Sequence, residues 1–463
     1  MIVCTLLISR VAHPVRAQAP GTSALYMPMV LRADSHPTGP RVNVPYFPSN
    51  FVLTETAIFW LGRVNANENY ADVRIGYNPT ELLVHVAVFD RRVWYDSSPS
   101  VGDLTAWDAL SLVLDLDGNT GGALDHHSYR FVGQLRWAEN ISDYQAAYLG
   151  GSNWDLTPIP FTTQASYVSF NNPSDDVDDR GWVITFHIPF SSLGLSGAPP
   201  QGTVWGLGVV LHDRDSAAGP HLADKTWPSA MNVYQPNTWG QLHFGLPGYV
   251  PPPARPEGSI TIRHGVDGAV VKDAHVGGHT TCGEPFDPNF FNGWGDANYA
   301  GYEQVNVQNQ ANLADWPCFS KYYITFPLSA LPAGKAILSA SLTLYQFGNS
   351  SPQDAYASLI QVLTTTQDWN ESTITWNNAP YAWENVSRVR VPVLLTYPGL
   401  PGVPREWDVS AAVAEAYRKG TPLRLVLYSA DAPMHSGKYF YSSDMDIYAQ
   451  TSRPMLTINW GVP

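Results

Sequence analysis

The chain has 463 residues, of which 14% are charged and 12% are aromatic, and its formal net charge is −14. This composition suits two or three globular domains and argues against a coiled coil, a collagen-like repeat and a disordered chain. The negative charge argues against nucleic acid and anionic membranes as partners, because clustered Lys and Arg bind both, and no apolar run reaches the roughly 18 residues of a transmembrane segment.

The N-terminal residues resemble the end of a secretory signal peptide. A short apolar run is followed by Ala17-Gln-Ala19, a pattern of small residues typical of a cleavage site. Because the basic segment that usually precedes the run is missing, we interpret residues 1–19 as a truncated signal peptide and residues 20–41 as a linker. This interpretation predicts an extracellular protein, secreted or attached to the cell surface. A frayed terminus is the alternative.

A Pro-rich segment divides the rest of the chain. Pro251, Pro252 and Pro253 lie within residues 248–257, and proline continues neither a helix nor a central strand. We therefore interpret 248–257 as a linker between two domains, at residues 42–247 and 258–463.

Both halves show the pattern of β-sheet proteins. Short β-branched or apolar runs alternate with turns rich in Gly and Pro, which predicts an all-β fold of two jelly-roll-like β-sandwiches. One helix is predicted, with Ser410 as its N-cap and Lys419 and Gly420 at its end. The clearest strands are Glu81–Asp90, Ala109–Asp115, Trp182–Pro189 and Trp205–Leu211 in the first half, and Ser339–Tyr345, Leu423–Tyr428 and Pro454–Trp460 in the second.

The sequence lacks the motifs that mark a catalytic centre. The stretch Trp205-Gly-Leu-Gly-Val-Val-Leu211 has no third Gly for a dinucleotide fingerprint, and Gly194-Leu-Ser-Gly197 has the wrong spacing for a nucleophile elbow. We therefore predict a non-enzymatic protein with no organic cofactor. A glycosidase carboxylate pair is left open, because nothing in the sequence distinguishes two of its many acidic residues.

Two acidic stretches are candidates for a structural Ca²⁺ site. Asp115, Asp117 and Asn119 place oxygen ligands at alternate positions, as at the opening of a calcium loop; a strand followed by an Asp-Gly turn is the alternative. The second candidate is a run of four carboxylates whose mutual repulsion favours a bound cation: Asp175, Asp176, Asp178 and Asp179. A solvated loop is its alternative. A further stretch, His212-Asp-Arg-Asp215, could either ligate a metal or form a structural ion pair.

The chain has three cysteines. Cys4 lies in the predicted signal peptide, so export would leave Cys282 and Cys318 as an even pair. We predict a disulfide between them, with two buried free thiols as the alternative.

The abundance of aromatic residues is the clearest indication of function. Sugar rings stack their flat C–H faces on Trp and Tyr, and a neutral glycan needs no charge on the protein. Aromatic residues among turn residues are therefore candidates for carbohydrate contacts, although most rings in such a chain belong to the core. The candidates are Trp94, Tyr95, Trp107, Trp227 and Tyr234.

Four spaced stretches make the first predicted domain similar to a known family: Leu82–Asp90, Trp107–Asp115, Gly181–Phe190 and Trp239–Phe244. Over about residues 71–245 the chain resembles the family-nine carbohydrate-binding modules, β-sandwiches of secreted polysaccharide-degrading proteins. The resemblance implies that Trp107 and Tyr234 sandwich a terminal sugar. Ser111 stands where the family commonly has a sugar-binding Glu.

The most specific stretch of the second predicted domain is Trp369-Asn-Glu-Ser-Thr-Ile-Thr-Trp-Asn-Asn-Ala-Pro380. With this stretch, most of residues 258–463 resembles the DNRLRE domain, a β-sandwich of secreted and cell-surface proteins linked to polysaccharide binding. Within the stretch, Trp369, Trp376 and Pro380 are expected to pack the sandwich.

Together these features predict an exported, non-catalytic protein that binds a polysaccharide or cell-surface glycan by aromatic stacking and polar loop contacts. Two alternatives are a structural or adhesive surface protein that self-associates, and, less favoured, a glycoside hydrolase or polysaccharide lyase accessory protein.

Overall fold

The computed structural model describes residues 39–118, 121–136, 142–168, 173–278, 289–309, 319–431 and 433–463. The predicted signal peptide, Asn119, Cys282 and Cys318 lie outside these residues, so the disulfide stays a prediction. The described residues form 24 strands and one α-helix, which confirms the all-β fold.

The strands follow the chain in this order: β1 Arg41–Val44, β2 Ala57–Asn65, β3 Glu68–Tyr77, β4 Glu81–Phe89, β5 Ala109–Asp115, β6 Ser128–Gln134, β7 Gln145–Gly150, β8 Trp154–Leu156, β9 Thr162–Val168, β10 Gly181–Pro189, β11 Val204–His212, β12 Lys225–Trp227, β13 Gly240–Phe244, β14 Arg255–Arg263, β15 Lys272–Gly277, β16 Gln304–Val307, β17 Ser320–Phe326, β18 Ala336–Asn349, β19 Ser358–Thr364, β20 Glu384–Val391, β21 Val403–Asp408, β22 Leu423–Ser429, β23 Lys438–Tyr441 and β24 Met455–Val462. The α-helix α1 spans Ser410–Lys419. Short 3-10 helices span Leu53–Glu55, Leu104–Ala106, Ser142–Tyr144, Phe190–Leu193, Pro236–Thr238, Trp294–Asp296 and Ile447–Ser452.

The first sandwich packs two sheets face to face. One is antiparallel, in the order β2-β3-β4-β10-β9, and the other contains β13-β11-β5-β6-β7-β8 with β12 beside β11. Side chains alternate along each strand, so one face of each sheet supplies the apolar core between them, where Trp182 and Phe186 of β10 are fully buried. The predicted strands of this half, at β4, β5, β10 and β11, are confirmed to within a residue.

The second sandwich packs β15-β17-β22-β19-β20 against the sheet β14-β24-β18-β23-β16, with β21 beside β18. Helix α1 closes one edge of its core and ends at Gly420, whose φ of +65° is easily adopted by a residue without a side chain. The helix begins at Ser410, so its N-cap is Val409 and not Ser410 as predicted. The Ser410 amide donates a hydrogen bond to the Asp408 carboxylate at 2.9 Å.

Strand β1 joins the two sandwiches into one 13-stranded sheet. It runs parallel to β13 on one side, and on the other Arg41 pairs with Glu384 of β20. Asn43 and Asn385 reinforce this seam, because each side-chain amide donates to the other residue's carbonyl at 2.8 Å. The predicted linker is shorter than expected, because β14 begins at Arg255 and includes Pro256. An edge strand tolerates proline there.

A second apolar core lies between the sandwiches, and a buried lysine sits at its centre. The Lys321 ammonium of β17 lies 3.6 Å from the ring centroid of Trp376 and 4.1 Å from that of Trp60. It donates to the Tyr70 hydroxyl at 2.7 Å, and that hydroxyl donates to Asp72 at 2.6 Å. We call these five residues the junction cage. Residues 39–463 form one compact unit, in which no described helix is long and apolar enough to cross a membrane.

Candidate functional site

The outer face of the first sandwich carries polar side chains on three neighbouring strands. Ser111 of β5, Arg130 of β6 and His212 of β11 share this face because of their register, whereas Leu110 beside Ser111 enters the core. We call this surface the outer face.

Hydrogen bonds link these side chains into a relay. The Ser111 hydroxyl lies 2.9 Å from His212 Nε2, and His212 Nδ1 lies 2.8 Å from a carboxylate oxygen of Asp224. Because a carboxylate only accepts hydrogen bonds, Nδ1 carries the ring proton and Nε2 accepts from Ser111. Burial lowers the pKa of His212, which keeps the ring neutral in this arrangement.

The relay has the residue types of a Ser-His-Asp triad, but its serine is covered. Ser111 is 0% exposed, and Arg130 donates a hydrogen bond to its hydroxyl oxygen at 3.1 Å. A hydroxyl buried beneath a guanidinium cannot reach a substrate carbonyl. The arrangement therefore holds Arg130 in place on the outer face.

Aromatic rings flank Arg130. Its guanidinium lies 5.5 Å from the ring centroid of Tyr148 on β7. Burial lowers the pKa of Arg130, and the phenols of Tyr148 and Tyr234 and the carboxylate of Asp224 are close enough to oppose that shift. Tyr234 is 51% exposed. The outer face thus offers a fixed donor and an acceptor, with an exposed ring within electrostatic range of the donor.

The other predicted stacking residues lie in different surroundings. Trp107 is half-buried, and the guanidinium of Arg214 lies 4.5 Å from its ring centroid. Trp94 and Tyr95 are also half-buried, and Tyr95 packs against the core of the first sandwich.

The prediction for Trp227 is wrong. This residue is 3% exposed and packs against Phe59 with ring centroids 4.2 Å apart. It belongs to the core because β12 pairs with β11 and places Trp227 opposite Val209, which faces inward. Neither face of its ring is available to a sugar.

The acidic run of residues 175–179 does not converge on a cation. Asp178 forms ion pairs with Arg91 at 2.9 Å and with Arg92 at 3.0 Å. The remaining carboxylates are separated: Asp175 accepts from the amide of Val177, Asp176 is exposed, and Asp179 is buried against the amide of Val93. These separate partners correct the expectation of a shared Ca²⁺.

Two of the three residues of the other predicted calcium loop, Asp115 and Asp117, lie within the described part of the chain. Asp115 is buried and accepts from the amide of Asp117 at 3.1 Å, and burial raises the pKa of Asp115 to about 7. Asn119 lies outside the described residues. A cation at this loop therefore stays a prediction.

Four groups of described side chains bring three metal-ligating atoms within 4.8 Å of one another. One belongs to the relay, where His221 Nε2 lies 2.8 Å from the same oxygen of Asp224 that His212 contacts. The others are Asp125 with His126 and His127, Asp273 with Glu371 and Asp444, and Asp90 with Asp108 and Asp213.

Sequence reasoning missed Arg130 and the role of His212. Arg130 stands between Tyr129 and Phe131 in an alternating strand, and that alternation was the available signal that the arginine faces outward. No pattern could have paired His212 with Ser111, because their contact depends on the register of β5 against β11.

Residues 291–457, most of the second sandwich, match the family model of carbohydrate-binding module family 96. No curated protein matches the chain.

Several solved structures are similar to part of the chain. A family-nine carbohydrate-binding module from Caldicellulosiruptor kristjanssonii in complex with cellotriose is 16% identical, with a TM-score of 0.32, over 44% of this chain and 93% of its own. A family-nine module from the same organism in complex with glucose is also 16% identical, with a TM-score of 0.32. That match covers 46% of this chain and 100% of the module. A Bacteroides uniformis protein assigned to carbohydrate binding is 16% identical, with a TM-score of 0.34, over 45% and 100%.

Proposed function

We propose that the outer face of the first sandwich is a glycan-binding site, additional to the carbohydrate-binding module of the second sandwich. The observation that carries this proposal is Arg130, which the relay holds in place on the outer face against the ring of Tyr148, with the exposed Tyr234 within electrostatic range of its guanidinium. The chain acts in this proposal as a non-catalytic protein with two carbohydrate-binding surfaces.

In the proposed mechanism, an aromatic ring and polar groups make different contacts with the sugar. The ring of Tyr234 stacks on the C–H face of a sugar, while the guanidinium of Arg130 donates to hydroxyl oxygens and Asp224 accepts from hydroxyl hydrogens. Trp107 stays a candidate for a further stacking contact. A net charge of −14 favours a neutral glycan over an acidic one.

The proposal also includes features that rest on the sequence alone. These are export to an extracellular location, a disulfide between Cys282 and Cys318, a structural Ca²⁺, and the relation of the second sandwich to the DNRLRE domain.

The test measures glycan binding by the full chain and by three variants: Tyr234→Ala, Arg130→Ala and a control. An array of neutral and acidic polysaccharides, with glucose and cellotriose as small probes, identifies a ligand, and calorimetry then gives its Kd. We expect Tyr234→Ala to raise Kd about 5-fold, because a stacking contact is worth about 1 kcal/mol. The control is Tyr46→Ala, which removes a ring of similar exposure, 49%, outside both the outer face and residues 291–457.

Two results would overturn the proposal. If the chain binds a glycan but Tyr234→Ala and Arg130→Ala leave Kd unchanged, the outer face is not a site and binding belongs to residues 291–457. If the folded chain binds no glycan, the structural or adhesive alternative replaces carbohydrate binding.

A further inference from the structure

Two histidines converge on one aspartate at the outer face. His212 ends β11, whereas His221 and Asp224 lie in the segment that leads to β12. His212 Nδ1 and His221 Nε2 each lie 2.8 Å from the same carboxylate oxygen of Asp224. One ligating atom of each residue lies within 4.8 Å of those of the other two. We call these three residues the His-His-Asp cluster.

One side chain of this cluster is held in place and the other two can adjust. His212 is 4% exposed, and its ring is fixed by β11 and by the hydrogen bond with Ser111. The side chains of His221 and Asp224 are 35% and 41% exposed. Bonds of about 2.0–2.2 Å from Zn²⁺ to nitrogen and oxygen place the ligand atoms of a tetrahedral site about 3.3 Å apart. The exposed side chains need to move by only about half an ångström to reach that spacing.

Two imidazoles and a carboxylate are ligands that Zn²⁺ prefers, whereas Ca²⁺ and Mg²⁺ prefer oxygen ligands alone. Three protein ligands leave a fourth position for water. Ser111 also suits a metal site, because a ligating histidine usually donates its other N–H to an oxygen. When His212 Nδ1 binds the ion, the ring proton lies on Nε2, and the Ser111 oxygen 2.9 Å away accepts it.

We propose that His212, His221 and Asp224 bind one Zn²⁺, and that this ion competes with a glycan for Asp224. The competition rests on the function proposed above, in which Asp224 accepts hydrogen bonds from sugar hydroxyls. A carboxylate that binds Zn²⁺ has given up lone pairs that a hydroxyl would need. Zn²⁺ should therefore weaken glycan binding at the outer face.

A second group with two histidines is the rival site in the described part of the chain: Asp125, His126 and His127. These residues are consecutive and precede β6, so no strand fixes their side chains. Asp125 already accepts a hydrogen bond from the amide of His127 at 2.7 Å. The His-His-Asp cluster is better preorganised, because the sheet and Ser111 fix His212 before the ion arrives.

The test uses the full chain without a histidine tag, stripped of metal by a chelator and titrated with Zn²⁺ or Co²⁺. Calorimetry should show that His221→Ala weakens Zn²⁺ binding about 10-fold or more. Four-coordinate Co²⁺ absorbs visible light strongly, and His221→Ala should abolish that absorption. Because His221 is exposed, the variant should fold, which circular dichroism checks. His126→Ala, an exposed histidine of the rival group, is the matched control and should leave the binding by the His-His-Asp cluster unchanged.

A second measurement compares the Kd of the glycan with and without Zn²⁺, at a concentration that saturates the wild type but not His221→Ala. We expect Zn²⁺ to raise the Kd of the wild type about 3-fold or more, because a hydrogen bond from the sugar to Asp224 is lost. The Kd of His221→Ala should not respond to Zn²⁺.

The outcomes separate this proposal from the function proposed above. Absence of Zn²⁺ binding by the stripped chain, or equal Zn²⁺ affinity of wild type and His221→Ala, overturns the metal site. Loss of binding in His126→Ala alone places the ion at residues 125–127 and also overturns it. If Zn²⁺ binds the cluster but leaves the glycan Kd unchanged, the metal site stands and the competition is overturned. If the chain binds no glycan, the proposed function and the competition both fail, while the metal measurements still decide the site.

Discussion

Trp227 and Tyr234 lie close together in the sequence, yet one ring is in the core and the other on the surface. Trp227 ends the three-residue strand β12, and its partner on β11 turns it inward. Tyr234 follows in a loop, where the side chain of Asn232 accepts from its amide at 2.9 Å. A strand this short has no periodicity that could have separated the two residues in advance.

Replacement of these two residues should therefore have opposite effects. We expect Trp227→Ala to lower the free energy of unfolding by about 3–5 kcal/mol, because it leaves a cavity beside Phe59. Tyr234→Ala should change it by no more than about 0.5 kcal/mol. Urea denaturation of the full chain measures both, and equal losses would contradict the assignment of Tyr234 to the surface.

The same contrast shows what the sequence could predict of the candidate site. Tyr234 and Trp107 were predicted from their loop context and from the resemblance to a family, and their contact with a sugar stays a prediction. Arg130 and Asp224 were not, because the first is marked only by alternation within β6 and the second joins the site through a contact with His212. Side chains that meet through strand register are not visible in local patterns.

At the scale of elements, long apolar strands were predictable and short connecting strands were not. Strand β5 coincides with its predicted bounds, since Ala109–Asp115 is a mostly apolar run, interrupted by Ser111, that ends in turn residues. Strand β1 has four residues and pairs with β13 and β20, which lie far away in the sequence. Its role in joining the sandwiches could be recognised only from the folded chain.

Strands β3 and β17 meet in the junction cage, where the charges of Lys321 and Asp72 depend on each other. We expect Lys321→Met to cost about 3 kcal/mol of unfolding free energy, because it leaves Asp72 as a buried charge without its cation. Asp72→Asn should be costly for the converse reason. The double variant should recover much of the loss, because it removes both charges.

A double-mutant cycle by urea denaturation measures this coupling. Strictly additive losses for Lys321→Met and Asp72→Asn would show that the two charges do not stabilise each other. Arg418→Met is a suitable control, because its ion pair with Glu415 lies exposed on α1 and should contribute no more than about 0.5 kcal/mol.

At the scale of the whole molecule, the shared sheet and the junction core imply that the sandwiches unfold together. The sequence suggested two domains joined by a Pro-rich linker. In the structure β1 also pairs with strands of both sandwiches, and rings from both surround Lys321. Unfolding either sandwich would expose that shared apolar surface and the buried lysine. The two proposed glycan surfaces are consequently held in a fixed relation.

Calorimetry of the full chain at constant Ca²⁺ should therefore show one endotherm. Trp227 lies within the core of the first sandwich, so Trp227→Ala destabilises that sandwich directly. If both sandwiches unfold together, the whole endotherm should move to lower temperature. Asn385→Ala should move it as well, since it breaks the seam between β1 and β20 without opening either sandwich core. Two endotherms, of which Trp227→Ala shifts only one, would mean that the sandwiches unfold independently and that the junction does not couple them.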